Sequence, residues 1–190
     1  LWHYDSGYEV IWRIGYTTTS YGGALGQNFL SFNNDYTYYY PDYVPAQSAL
    51  NLYTSGDARY NAYFAELSTG YSHQLTWPLL IKYYGNRELM SLLIYHVNMP
   101  KPLRLAEQYL IRAEAYCNLG NFGAASSDLT KLRNARYTNS AGNISVGDDN
   151  WQTVISDERV RELYMEGFRL NDLKRWGKGF ERKTQANVQA

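Results

Sequence analysis

The sequence has one cysteine, three histidines and no excess of either charge, and each shortage closes off a class of function. The lone thiol, Cys117, can form no internal disulfide; it stands among the apolar positions of a helical stretch and reads as a small core residue. Lys plus Arg equals Asp plus Glu at 18 each, so no strong field draws nucleic acid or an anionic membrane surface. His3, His73 and His96 lie far apart and show no zinc-ligand spacing. There is no G-x-x-x-x-G-K-[ST] or G-x-G-x-x-G pattern, and no cofactor is expected. No apolar run approaches the roughly 18 residues needed to span a bilayer. There is no signal-peptide pattern, and a chain opening at Leu1 is expected to be a piece of something longer.

What the chain has in quantity is tyrosine: 20 of its 31 aromatic residues. A tyrosine joins a flat apolar body to a polar tip, which suits half-wet surfaces and ligand contacts. Two regions differ in character. Residues 1–100 are rich in Tyr, Gly, Asn, Ser and Thr, whereas 101–180 carry most of the charge and the helical periodicity. In the first region, "EVIWRIGY" (9–16) reads as a short strand, with Trp12 in the core. The stretch from Thr17 to Pro45 is too long for an ordinary connection, and such loops often carry function. Helices are expected through "AQSALNLY" after Pro45 and within "SGDARYNAYFAEL" (55–67), and an extended segment at "TWPLLIKYY" (76–84).

The second region opens with a helix that seems to contradict itself. In "RLAEQYLIRAEAY" (104–116) the charged Arg104, Glu107, Arg112 and Glu114 are threaded among helically spaced apolar residues. Leu103, Leu105, Ala106, Tyr109, Leu110, Ala113, Tyr116 and Cys117 share one arc of roughly 160°, with Glu107 and Glu114 at one border and Arg112 at the other. Gly120 suits a helix C-cap. In a second helix Phe122, Ala125, Leu129 and Leu132 share a face. A loop spans 137–150, and a third helix runs from near Asp149 or Asn150 to about Gly167. In that third helix Glu158, Glu162 and Glu166 stack at i, i+4, i+8, with Arg159 and Arg169 in the same arc; like charges so spaced are unfavourable on an isolated helix. We expect this charged face to meet the Glu107, Arg112 and Glu114 borders of the first helix through Arg–carboxylate pairs. Charges held by such partners are structural and ill placed for acid–base work. Tyr109, Ala113, Tyr116, Gly120, Phe122, Ala125 and Leu129 also match tetratricopeptide helix–turn–helix spacing, a unit that needs neighbours to bury its face.

"LRLAEQYLIRAEAYCNLG", "LTKLRNAR" and "ISDERVRELYMEGFRLNDLKRWG", in that order, resemble the C-terminal half of the SusD/RagB family. "EVIWRIGY", "SGDARY" with its Asp57-x-Arg59 element, and "IKYY" are similar to weaker family elements. The resemblance implies a mainly α fold: tetratricopeptide-like helix pairs, a loop-rich irregular lobe that supplies the ligand surface, and little β-structure. The whole of 1–190 would be the C-terminal part of one such domain. It also implies a non-enzymatic lipoprotein of the Bacteroidetes outer membrane that passes glycans or similar nutrients to a SusC-like TonB-dependent transporter. Membrane attachment would come only through a lipid anchor that this chain does not contain.

The family's sugar contacts form no common motif, so candidate ligand residues rest on chemistry. A sugar stacks its C–H face on an aromatic ring and bonds its hydroxyls to amides and carboxylates. Asn33, Asn34, Asp35, Tyr36, Tyr38, Tyr39, Tyr40, Asp42 and Tyr43 interleave those types, and Trp77 is a further candidate. Trp151 and Trp176 read as core. Two rivals remain: a tetratricopeptide-like adaptor that binds a peptide through residues 103–136, and a carbohydrate-active enzyme that uses Asp35 and Asp42.

Overall fold

A computed structural model describes residues 1–33, 35, 37–71, 75–138 and 140–181, and it is mainly α-helical. The elements are β1 (Val10–Trp12), α1 (Gln27–Leu30), α2 (Gln47–Leu50), α3 (Ala58–Tyr63), β2 (Phe64–Ser68), β3 (Thr76–Leu80), α4 (Arg87–Met90), β4 (Leu103–Arg104), α5 (Leu105–Asn118), α6 (Phe122–Asn134), a 3-10 turn (Ser140–Gly142), α7 (Trp151–Glu162) and α8 (Arg169–Arg175). They form two compact units. Among the described residues, one joins Leu1–Gln47 to Tyr60–Arg104, and the other joins Ser48–Arg59 to residues 105–181. The division at residue 100 therefore misplaces 48–59, a stretch that packs with the helices.

The helical unit is built on small residues. Ala113 of α5 and Ala125 of α6 are fully buried, so the two helices approach closely, and Leu110, Leu129 and Ile155 fill the space beside them. Cys117 lies in the same cluster, with Trp151 and Trp176 half-buried at its margin. The turn between α5 and α6 follows from two residues. Gly120 adopts φ +71°, and its N–H and that of Asn121 bond to the carbonyls of Cys117 (3.0 Å) and Tyr116 (2.8 Å). Asn121 then caps α6 by accepting from the Ala124 N–H at 3.2 Å.

Three boundaries differ from the sequence reading. Leu103 and Leu105 fall outside the buried stripe of α5, at 43% and 41% exposure, because Leu103 is spent in β4 and the helix begins only at Leu105. Helix α7 ends at Glu162, and the left-handed residues Met165 (φ +57°) and Gly167 (φ +90°) turn the chain before α8. "FAEL", expected to continue a helix, is strand β2, since its partner β3 offers a five-residue antiparallel ladder.

In the loop-rich unit that ladder pairs Glu66 with Pro78, and a two-stranded sheet tolerates proline because each strand has an open edge. Strand β1 is only three residues long because its partner β4 has two. Its Trp12 is 53% exposed and is not a core residue. The N-terminal segment is held instead by Asp5 and Trp2. The buried Asp5 carboxylate accepts from Asn86 (2.9 Å), the Met99 N–H (2.9 Å), Asn98 (3.3 Å) and Lys101 (2.5 Å). The Trp2 ring lies between two ammonium groups, Lys82 Nζ at 4.3 Å and Lys101 Nζ at 4.5 Å from its centroid.

Candidate functional site

The tyrosine loop divides into a polar turn and an aromatic face. In the turn, Asn33 Oδ1 accepts the backbone N–H groups of Thr37 and Tyr38, both at 2.9 Å, and the Asn33 amide donates to Asp35. This is what Asn and Asp do at turns: their short side chains take the bonds a regular ladder would have made. Asp35 also accepts from the Thr37 N–H at 3.2 Å. Bonds from Thr37 hold the exposed Asp35 carboxyl below its ordinary pKa. Asn34 and Tyr36 lie outside the described residues.

From Tyr38 the chain returns against Phe32 and then runs along β2. Tyr39 bridges Phe32, their ring centroids 4.3 Å apart, and its N–H bonds to Ser68 O at 3.1 Å. Burial raises the Tyr39 phenol pKa, with a smaller contribution from Tyr84. Tyr39 is thus half committed to packing, and Tyr38 is half-buried.

Tyr40 and Tyr43 differ. The Tyr40 ring lies directly on the backbone of Gly70: a Cβ there would sit 1.9 Å from Tyr40 Cζ. Tyr71 meets the same ring edge-on, with centroids 5.4 Å apart, and donates its hydroxyl to Pro41 O at 3.1 Å. A ring seated in this way loses little rotamer freedom when a ligand arrives, yet Tyr40 remains 38% exposed. Tyr43 is 59% exposed and touches Phe29 at 6.2 Å. Pro41 is buried between them in sequence, so the two exposed rings flank an anchored turn.

Trp77 is not part of this face. It is 7% exposed and its indole N–H donates to Pro45 O at 3.0 Å, so both its surface and its polar tip are spent in the interior. Position in a β-strand rather than a loop accounts for the difference.

The charged residues occupy the helical unit. Glu158 and Glu162 are fully buried in α7. Arg59 reaches both through one nitrogen, at 2.7 Å and 3.0 Å, while its other nitrogens hold Asp57 bidentately at 2.8 Å and 2.7 Å. Arg133 (2.8 Å) and Arg161 (2.6 Å) complete Glu158, and Arg136 (3.0 Å) completes Glu162. Burial alone would raise the Glu158 pKa; the charges of Arg59 and Arg161 more than reverse this and lower it. Burial likewise opposes the Arg59 charge, but the Asp57 bond and the three carboxylates raise its pKa overall.

The other charged positions pair elsewhere. Arg112 forms a two-bond fork with Asp128 of α6, each at 2.7 Å. Glu114 accepts from Arg175 and from Trp176 Nε1, the latter at 2.7 Å. Arg159 bonds Asp172 at 2.7 Å, and Arg169 donates to Ser156 at 3.0 Å. Glu107 is buried, and Glu166 lies half-buried beyond the end of α7. The expected direct meeting of the α7 glutamates with Arg112 is thus replaced by arginines from residues 59 and 133–161. Sequence reasoning overlooked Arg133, Arg136, Asp128, Asp172 and Arg175. The Asp57-x-Arg59 pair carried a signal, because two opposite charges beside a helix start can form a fork.

Comparison with known proteins places this geometry. The model of the SusD family matches residues 60–190. Over 75 residues the chain is 40% identical to the starch-binding protein SusD of Bacteroides thetaiotaomicron, a stretch that makes up 39% of this chain and 12% of that protein. Its fold resembles a SusD-like carbohydrate binding protein from Bacteroides vulgatus, with TM-score 0.67 and 24% identity over 90% of this chain. It also resembles a SusD superfamily protein from Bacteroides thetaiotaomicron, with TM-score 0.55 and 22% identity over 79% of the chain. It spans 35% and 33% of those two solved chains.

Proposed function

Because the chain belongs to the SusD family, we propose that it takes part in non-catalytic glycan binding, with the Tyr40–Tyr43 face as a contact surface. The observation that carries this reading is the exposed Tyr40 ring seated on Gly70. A pyranose ring presents a flat set of C–H bonds to such a surface, and stacking orients it so that its hydroxyls reach the polar groups at the edge. The starch-binding relative supports the same class of ligand.

The absence of catalysis is part of the proposal. A glycosidase requires one carboxylic acid with a raised pKa beside a second carboxylate. Asp35, one of the two acids in the loop, is shifted the other way. At the level of the whole protein, we propose location at the outer membrane surface and delivery of the glycan to a SusC-like TonB-dependent transporter, as the family implies. No helix among the described residues is long and apolar enough to cross a membrane; attachment through a lipid anchor is part of the proposal and rests on what the family implies.

Isothermal titration against a panel of polysaccharides tests the reading. Saturable binding that weakens about fivefold in Tyr40→Ala, with no products formed, is the expected result; loss of one aromatic stack is of order 1 kcal/mol. Unchanged affinity in that variant refutes the assignment of the face. Peptide binding that is lost with the exposed Ile111 of α5 favours the adaptor reading instead.

A further inference from the structure

Between Arg13 and Lys82 the sequence carries one basic side chain, Arg59, against four carboxylates: Asp35, Asp42, Asp57 and Glu66. Arg59 is buried in the helical unit and consumed by Asp57, Glu158 and Glu162. The tyrosine face is therefore built from a stretch that lends it no lysine or arginine. Its remaining carboxylates, Asp35, Asp42 and Glu66, are all exposed.

Asp42 stands beside the aromatic face, Asp35 belongs to the polar turn that leads into it, and Glu66 lies on β2. Asp42 lies between Tyr40 and Tyr43 in sequence, and its N–H is anchored to Asn28 O at 2.9 Å. It is close enough that its charge, second to burial, raises the Tyr71 phenol pKa. Asp35 is ionised firmly by its Thr37 bonds. Glu66 is two residues along β2 from Ser68, whose carbonyl accepts from Tyr39.

Resting on the glycan reading above, we infer that this face selects uncharged sugars and rejects uronates, sialates and sulfated glycans. Recognition of an anionic sugar calls for a guanidinium or ammonium group to replace the water lost around its charge. An anionic ligand stacked on Tyr40 meets the exposed carboxylate of Asp42, two residues along the chain, and like charges act over ~10 Å at about 0.1 M salt. A neutral pyranose has no such conflict: its C–H face stacks on Tyr40, and its hydroxyls donate to the same carboxylate that repels an acid. One set of residues thus attracts one class and excludes the other.

The test uses the natural full-length protein and pairs that share a backbone, one neutral and one acidic. These are starch and carboxymethyl starch, hydroxyethyl- and carboxymethyl-cellulose, and methyl-esterified and free polygalacturonan. Titrations run at about pH 8, where histidine is neutral. In about 20 mM salt, at least one neutral partner is expected to bind about tenfold tighter than its acid counterpart, the gap narrowing in about 500 mM salt. Asp42→Asn is expected to narrow it too. Equal or tighter binding of the acidic member overturns the selectivity and leaves the glycan reading standing. A gap insensitive to both salt and Asp42→Asn also overturns it. Binding of neither member of any pair refutes the glycan reading itself, and the inference with it.

Discussion

Arg59→Met tests how the helical unit is held together. The substitution keeps length and apolar bulk but removes a guanidinium that is 3% exposed and bonded to three carboxylates. Breaking one side of a buried ion network costs roughly 3–5 kcal/mol, chiefly because the partner charges are left in a poor solvent. The remaining geometry says where in that range the cost falls. Glu158 keeps Arg133 and Arg161, and Glu162 keeps Arg136. The loss concentrates on Asp57, which forfeits both bonds of its fork, so about 3 kcal/mol is expected. The assay is urea denaturation followed by far-ultraviolet circular dichroism, where the midpoint should fall with unchanged slope. In a thermal scan the same loss lowers Tm by about 6–12 °C. Acid supplies a second reading. The Glu158 pKa is lowered in the fold, so its contribution is complete above the ordinary value of 4.5 and is lost as pH falls through the lower folded value. The gap between wild type and variant should accordingly begin to narrow only as pH falls below 4.5. Arg112→Met is the control, since the Arg112 side chain is 57% exposed and its fork to Asp128 should matter by about 1 kcal/mol or less. A cost for Arg59→Met no larger than for Arg112→Met refutes the reasoning.

Gly70→Ala places a methyl carbon where the Tyr40 ring now lies, without straining the backbone; glycan affinity should fall about as far as in Tyr40→Ala. Titration of both variants checks this, and full affinity in Gly70→Ala shows that the seat is irrelevant. Trp77→Phe should instead leave affinity intact and cost about 1–2 kcal/mol in denaturant, through the lost bond to Pro45. His96 gives a pH dependence in the loop-rich unit: burial lowers its pKa, only partly offset by a backbone bond at Tyr84, and its Nδ1 has no partner among the described residues. The unfolded chain therefore takes up a proton near the ordinary value of 6.5 that the folded ring resists, and stability falls as pH drops below it. His96→Asn tolerates the local φ of +64° and removes the titration, so its denaturant midpoint should lose the slope between about pH 7 and pH 5. An identical slope in both proteins refutes the assignment.

Legibility followed range along the chain. The α5–α6 pair could be read from letters because each of its determinants is local: apolar spacing, two alanines, and the Gly120–Asn121 turn. The strand at "FAEL" could not, because nothing in four residues says that Thr76–Leu80 will lie beside them. Proline at 78 even argued against a ladder, and only the open edge of a two-stranded sheet admits it. In the candidate site, residue types were legible and their duties were not. Asn33 and Asp35 resemble sugar ligands but are occupied in shaping the turn, while Tyr40 and Tyr43 carry the same letter as Tyr39 and differ in exposure.

The charged helices give the sharper lesson. Periodicity located Glu158 and Glu162 on one face of α7, yet that face could have been wet, paired with α5, or paired elsewhere. What decides it is Arg59, 99 residues from Glu158 in the chain and two residues from an aspartate that fixes its fork. Two fully buried glutamates need several guanidinium groups to offset their desolvation, and α5 offers only Arg112, already engaged by Asp128. The remaining donors come from 59, 133, 136 and 161. Once their burial is known, counting cations against the α7 carboxylates excludes the α5-only pairing. The same count, applied to residues 14–81, finds Arg59 as the one Lys or Arg, already consumed in the helical unit.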